Sequence, residues 1–179
     1  WLHTIPFLWP FHRVHHSATS LNFLTVFRTH PVEAVLFSLR NALIQGFVVG
    51  IFFFLFGDQV SLMMILGANL FSFLFNILGS NLRHSPVALP YPKIIEKYLI
   101  SPAQHHIHHS NELKHKDKNY GVIFSCWDRW FGSFYHSQKE ELNYGLYNVN
   151  DDKEHKMIQI YLSPFKSSYK FLIKSFRKN

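Results

Sequence analysis

Residues 35–57 read VLFSLRNALIQGFVVGIFFFLFG, and residues 60–78 read VSLMMILGANLFSFLFNIL. The first run carries one charge, Arg40, and the second carries none. Each approaches the roughly 20 residues that a helix needs to cross a hydrocarbon core of about 30 Å. A tight step at Gly57-Asp58-Gln59 joins them, so the sequence predicts a helical hairpin over about residues 34–79. A pair of buried helices in a soluble protein is the competing reading. It fails on proportion, because two such Phe-rich runs exceed what the core of a 179-residue chain can hold. A re-entrant hairpin that dips in and returns is the other membrane form. In both forms the chain comes back to the face it left.

Working outward, the composition agrees with membrane contact. Hydrophobic residues make up 47% of the chain and aromatics 17%, with 19 Phe, while only 16% is charged. The formal charge of +7 is compatible on its own with nucleic acid or an anionic membrane surface, and the apolar runs decide for the membrane and against nucleic acid. Basic residues gather at one end of the hairpin: Arg13, Arg28 and Arg40 precede it, Arg83, Lys93 and Lys97 follow it, and none stands at the Gly57 turn. By the positive-inside rule, that face is cytoplasmic. The single cysteine, Cys126, excludes an internal disulfide and any C-x-x-C site. The chain opens on Trp1 without signal-peptide character, which reads as a fragment of a longer protein.

The flanks of the hairpin carry the chemistry. HRVHHS at 12–17 and HHIHHS at 105–110 both contain H-x-x-H-H, as His12, His15, His16 and as His105, His108, His109. On a helix, positions i, i+3 and i+4 share one face, so three imidazoles point into one volume. A lone His on an apolar face is ordinarily a satisfied core residue, but two copies of one unusual spacing reverse that expectation. Neutral imidazole ligates iron, zinc, copper and nickel, and six of them exceed what one tetrahedral ion uses, which predicts two ions. His3, nine residues before His12, and His84, directly after the second apolar run, are further ligand candidates. His106 points off the shared face, and His30, His115, His136 and His155 occur singly and read as structural, His30 least securely.

Other metal chemistries fit less well. H-E-x-x-H is absent, and a carboxylate-bridged di-iron bundle wants two Glu-x-x-His segments, where only Glu112 with His115 is found. The apolar runs contain no His for haem, and the second offers only Asn69 and Asn76 to a transported ion. No nucleophile elbow and no Gly-rich phosphate loop is present. Residues 84–102 read as a loop leading to a short amphipathic helix, and 111–119 as a polar loop. For VIFSCWDRWFGSFY, residues 122–135, periodicity does not separate strand from helix. The tail, 150–179, is basic with interleaved Tyr, Phe and Leu; it reads equally as an interfacial helix or as an ordinary solvated one.

In order, HRVHHS, LTVFRTHPVE, the hairpin, NLRHSPVALP, SPAQHHIHHS, DKNYG and WDRWFGSF resemble the fatty acid hydroxylase superfamily. This integral-membrane group includes sterol desaturases, C-4 sterol methyl oxidases and alkylglycerol monooxygenases. The resemblance runs from His3 to about Phe134 and leaves the basic tail poorly covered. It implies a histidine-rich di-iron centre that activates O2 on the cytosolic face. His12, His15 and His16 match its second box, His105, His108 and His109 its last, and His84 the ligand after the hairpin. Its first box, H-x-x-x-H, ends where His3 stands, so its first histidine falls upstream of Trp1. Asn119-Tyr120-Gly121 and Trp127-Asp128-Arg129 match signatures near the site. Asp128 is expected either to orient a ligand imidazole through its other ring nitrogen or to pair with a base such as Arg129. His30, His106 and Asn119 join it as candidates for the layer behind the ligands.

The expectation is therefore an all-α membrane protein, with a transmembrane or re-entrant hairpin and a cytosolic helical histidine-rich metal domain. Residues 1–149 form the hydroxylase-like domain and 150–179 the tail. Two iron ions, replaceable by zinc in a purified or crystallised form, use O2 to hydroxylate or desaturate a fatty acyl, sterol or alkylglycerol type lipid. Electrons come from an external donor of cytochrome b5 or ferredoxin type with its reductase, because the chain shows no flavin or nicotinamide motif. The rivals are a non-catalytic metal-binding membrane protein and a zinc-dependent lipid hydrolase.

Overall fold

The structure is a computed structural model that describes residues 1–78, 80–147 and 157–177. His155, Gly79 and the expected join between domain and tail at 149/150 lie outside the described residues. Among those described there is no strand, only two isolated β-bridges, Leu99 with Phe124 and Ser110 with Tyr144. Seven α-helices among the described residues carry the fold. The chain divides into two compact units, one of residues Pro31–Asn81 and one assembled from Trp1–His30 and Leu82–Asn179.

The first of these units is the hairpin. Helix α2, Pro31–Phe56, has 26 residues, and α3, Leu62–Leu78, has 17. At about 1.5 Å per residue they measure about 39 Å and about 26 Å. Gly57-Asp58-Gln59 forms a single turn of 3-10 helix, and Gly57 takes a left-handed φ of 54°, a conformation open to glycine without strain. Both helices are long and apolar enough to cross a membrane, and their apolar side chains are not covered by protein: Phe54 is 88% exposed and Met63 76%. Apolar surface on this scale is stable against lipid rather than water. Inside the pair, Gln45 Nε2 donates to Asn69 Oδ1 at 3.2 Å, and Asn76 returns its amide to the Ser72 carbonyl at 2.8 Å. The amides of Gln45, Asn69 and Asn76 thereby find partners within the hairpin.

The second unit carries four short helices and one long one among its described residues. Helix α1, Trp9–His16, starts with Pro10 in its first turn, where the missing N–H costs nothing. Its last turn is closed by Arg28, whose Nε donates to the Val14 carbonyl at 3.1 Å and whose Nη2 donates to Ser17 Oγ at 2.8 Å. A cation on the final carbonyls of a helix is the favourable sign. After a short α4, Lys93–Glu96, helix α5, Pro102–His108, begins with a reciprocal capping box between Ser101 and Gln104. Helix α6, Cys126–Phe131, settles the ambiguous aromatic segment as helix and stops at Gly132, which has a left-handed φ of 76°. Helix α7, Met157–Phe176, packs on α1: Phe165 meets Phe11 edge to face, Ser168 Oγ donates to the Phe7 carbonyl at 2.7 Å, and Pro164 is buried.

Candidate metal centre

The two H-x-x-H-H helices, α1 and α5, bring their imidazoles together with His3 and His84, and the eight sort into two groups. His15, His84, His105 and His109 form one; His3, His12, His16 and His108 form the other. In each, the four ligand atoms lie within 4.8 Å of one another. The groups touch, since His16 stacks on His109 with ring centres 4.4 Å apart and His105 stacks on His108 at 5.4 Å. All eight predicted ligands are therefore assembled.

In the first group every Nε2 faces the same point. His84 Nε2 is 3.2 Å from that of His15, 3.3 Å from His109 and 3.1 Å from His105, and His105 is 3.1 Å from His109. The centre of a tetrahedron with such edges lies about 2 Å from each corner, the distance of a metal–imidazole bond. His15 Nδ1 is 3.3 Å from the Arg28 carbonyl. A carbonyl only accepts, so this nitrogen carries the proton and Nε2 presents its lone pair. The donor set and its spacing fit a divalent transition metal. In the second group His12 Nε2 is 2.9 Å from His3 Nε2, and His108 Nδ1 donates to the Lys118 carbonyl at 2.8 Å, freeing its other nitrogen for a ligand. His16 Nε2 is buried with no hydrogen-bond partner, the state of a lone pair that awaits a cation.

Electrostatics keep six of these rings in the ligating form. Burial, reinforced by neighbouring rings, holds His16, His105 and His109 well below the ordinary imidazole range, and the same causes lower His3. His84 falls to about 3 by burial and the proximity of His15. His108 falls to about 4 by burial, although its bond to the Lys118 carbonyl pulls the other way. Neutral imidazoles at neutral pH bind metal without first releasing a proton.

A layer of hydrogen bonds stands behind the rings, and it differs in part from expectation. His106 is buried; its Nε2 donates to the Ser85 carbonyl at 3.0 Å and Tyr144 OH meets its Nδ1 at 2.8 Å, so it fixes the residue next to His84. Asn119 donates to the Gln104 carbonyl at 3.1 Å and accepts from Tyr135 N at 2.8 Å, tying α5 to the segment beyond α6. His30 sits elsewhere. It is buried against Phe11 and Phe165, and its Nε2 donates to the Tyr161 carbonyl at 3.0 Å, so it joins α7 to the unit rather than supporting a ligand.

Asp128 corrects a second expectation. Its carboxylate neither meets a ligand imidazole nor takes Arg129; it accepts from Tyr120 N at 2.7 Å, Gly121 N at 2.8 Å and Ser133 Oγ at 2.6 Å. Three donors saturate it, and what it holds is the DKNYG loop. In that loop Asp117 and Asn119 adopt left-handed φ values of 60° and 52°, which these residue types tolerate better than others. A Cβ on Gly121 would stand 2.5 Å from the Phe124 carbonyl oxygen, so only glycine fits. The loop in turn presents the Lys118 carbonyl to His108.

Sequence reasoning missed Arg28, whose carbonyl orients His15 while its guanidinium closes α1, and Glu96. Glu96 is fully buried, with Oε1 accepting from Ser101 Oγ at 2.7 Å and Oε2 from His136 Nδ1 and Ser137 N, each at 3.1 Å. Burial alone pushes this carboxyl up, but bonds from Ser137, Ser101 and His136 outweigh it and hold the group below the usual range. No pattern around Glu96 marks it in advance. Tyr120 was quoted only as part of a signature; its ring lies 4.9 Å from that of His3. A third cluster, Glu112, His115 and Glu140, is closed by Lys114, whose ammonium lies 3.2 Å from Glu112 and also bonds Glu140. Both carboxylates share that cation.

The fatty acid hydroxylase family profile matches residues 1–133. The alkylglycerol monooxygenase of Danio rerio is 29% identical over 80% of the chain and 28% of its own length. That of Caenorhabditis elegans is 28% identical over 99% of the chain and 31% of its own length, and that of Homo sapiens is 26% identical over 80% and 28%. The chain thus spans under a third of the length of these curated relatives. No solved structure matches it significantly.

Proposed function

This chain belongs to the fatty acid hydroxylase family, and from that premise we propose that it is the metal-binding portion of a di-iron oxygenase that uses O2 to hydroxylate or desaturate a C–H bond of a membrane lipid. The observation that carries the proposal is the pairing of two four-imidazole groups in contact with each other. Storage or sensing requires no such register. A lone hydrolytic zinc ordinarily takes three protein ligands and leaves a position for water, whereas eight imidazoles in two groups suit a pair of redox metals.

Iron held there supplies activation of O2 toward an unactivated C–H bond. The chain's own residues do the rest. His3, His12, His16 and His108 hold one ion, and His15, His84, His105 and His109 the other. The Arg28 and Lys118 carbonyls take the Nδ1 protons of His15 and His108, fixing the tautomers. Burial keeps the imidazoles of His16, His84, His105 and His109 neutral and keeps bulk water away from the metal face. The uncovered hairpin anchors the chain in the phase where apolar substrates dissolve, and its basic flanks favour the cytoplasmic face for the histidines. Electrons come from a cytochrome b5 or ferredoxin type donor with its reductase.

The substrate class follows the relatives. An ether-linked glycerolipid is the first candidate because those relatives are alkylglycerol monooxygenases; fatty acyl and sterol lipids are the next. The test is metal content together with reductant-driven O2 uptake by the iron-supplied protein in lipid, with alkylglycerol, fatty acyl and sterol substrates compared. Two irons per chain and uptake that depends on one lipid class support the proposal. Iron-loaded protein that stays inert with a competent reductant across that panel overturns it.

A further inference from the structure

Helix α7 has three faces, and the packing described above uses one. Pro164 and Ser168 are buried on the side toward α1. With about 100° per residue, Ile158, Leu162, Phe165, Tyr169, Leu172 and Phe176 fall in an adjoining sector of about 80°. All six are exposed, Leu162 by 52%, Tyr169 by 65% and Phe176 by 81%, while Phe165, toward the α1 side of the stripe, keeps half of its surface free beside its contact with Phe11. The next sector, again about 80° wide, carries Lys166, Lys170 and Lys174, each exposed and one turn apart. An exposed aromatic and aliphatic stripe bordered along its length by a lysine row is thus held rigidly on the metal-binding unit by the Phe11–Phe165 contact and by the bonds His30 to Tyr161 and Ser168 to Phe7.

We propose that this face of α7 docks on an anionic bilayer surface, with the apolar stripe set among the upper acyl chains and Lys166, Lys170 and Lys174 on lipid phosphates. Charge decides the occupant. A second copy of this helix, which has no acidic residue, offers the lysine row no negative partner and, when antiparallel, brings the two rows together, whereas a bilayer offers apolar depth beside negative headgroups in the same order as the helix faces. The formal charge of +7 adds to the attraction. The tail thereby acts as a lateral second contact with the membrane. This inference rests on the membrane reading of the hairpin.

The test places a nitroxide at Leu162→Cys, at Lys170→Cys or, on the hairpin, at Phe54→Cys, in the full chain with Cys126→Ala. The protein is reconstituted in phosphatidylcholine bilayers containing phosphatidylglycerol, and each label's accessibility to O2 is compared with that to a water-soluble nickel chelate. The expected result is lipid burial at Phe54 and Leu162, water exposure at Lys170, and a shift of the Leu162 label toward water when phosphatidylglycerol is omitted or when Lys166, Lys170 and Lys174 are changed to Glu. Tyr169→Cys serves as a second reporter if Leu162→Cys fails to fold. A water-exposed Leu162 label with a lipid-buried Phe54 label overturns the docking surface and leaves the hairpin intact. Dipolar broadening between Leu162 labels of two copies also overturns it, in favour of self-association. A water-exposed Phe54 label removes the membrane reading and the proposal together.

Discussion

At the scale of single residues, the centre depends on how imidazoles are shared between helices. On each helix the i, i+4 pair stays together and the i+3 ring turns away: His12 and His16 go to one group with His108, while His105 and His109 go to the other with His15. Three and four positions differ by about 100° around the axis, enough to aim the middle ring at the neighbouring ion. The spacing itself was legible, because H-x-x-H-H is rare by chance, and it named six of the eight histidines that the structure brings together; His3 and His84 were singled out by their places beside the first motif and the second apolar run. The partition was not legible, since it depends on how α1 and α5 face one another. His84→Ala should remove roughly half of the bound metal, read by elemental analysis, because it opens one tetrahedral group and leaves the other. Asp128→Ala should cost about 3 kcal/mol, seen as a lower thermal midpoint, because two backbone N–H groups and Ser133 lose a charged acceptor. Its effect on metal affinity should follow through His108, whose orienting carbonyl sits on the loop that Asp128 holds.

At the scale of elements, the hairpin was the easiest part to read, because apolar length is a property of the sequence alone. The aromatic segment that became α6 was not, because a six-residue helix is too short to show a period, and its end at Gly132 is set by backbone conformation. Helix α5 shows how local chemistry and buried contacts combine. Ser101 accepts from Gln104 N at 3.1 Å, as a capping box requires, and also donates to the buried Glu96. Neither this cap nor the carboxylate beneath it, contributed from α4, entered the reading of the sequence. Ser101→Ala should therefore cost about 1–2 kcal/mol and weaken metal retention, because His105, His108 and His109 all ride on that helix or its final residue. Thermal unfolding with and without added zinc measures both effects, and the loss should be larger in the metal-loaded protein.

At the scale of the whole molecule, acid sensitivity follows from the depressed imidazoles. A group whose pKa is lower in the folded protein than in the unfolded chain contributes stability above the unfolded value and loses it as pH falls toward the folded one. For His84 and His108 that window runs from 6.5 down to about 3 and about 4. His3, His16, His105 and His109 shift in the same direction, so their losses add. Metal-free protein should begin to lose stability below about pH 6.5, steeply because several protons are taken up together, and metal should move the midpoint to lower pH by competing with those protons. Tryptophan fluorescence during acid titration of metal-free and metal-loaded protein checks it. The discontinuous build of the histidine unit bears on biosynthesis. Each group draws on residues from both sides of the hairpin, so a ribosome that has delivered α1 and both apolar helices has still not supplied a complete set of four ligands. On the proposed di-metal reading, loading is therefore a late event, after both apolar helices have been made and α5 has emerged, and a chain stalled before that point exposes histidines without a complete group.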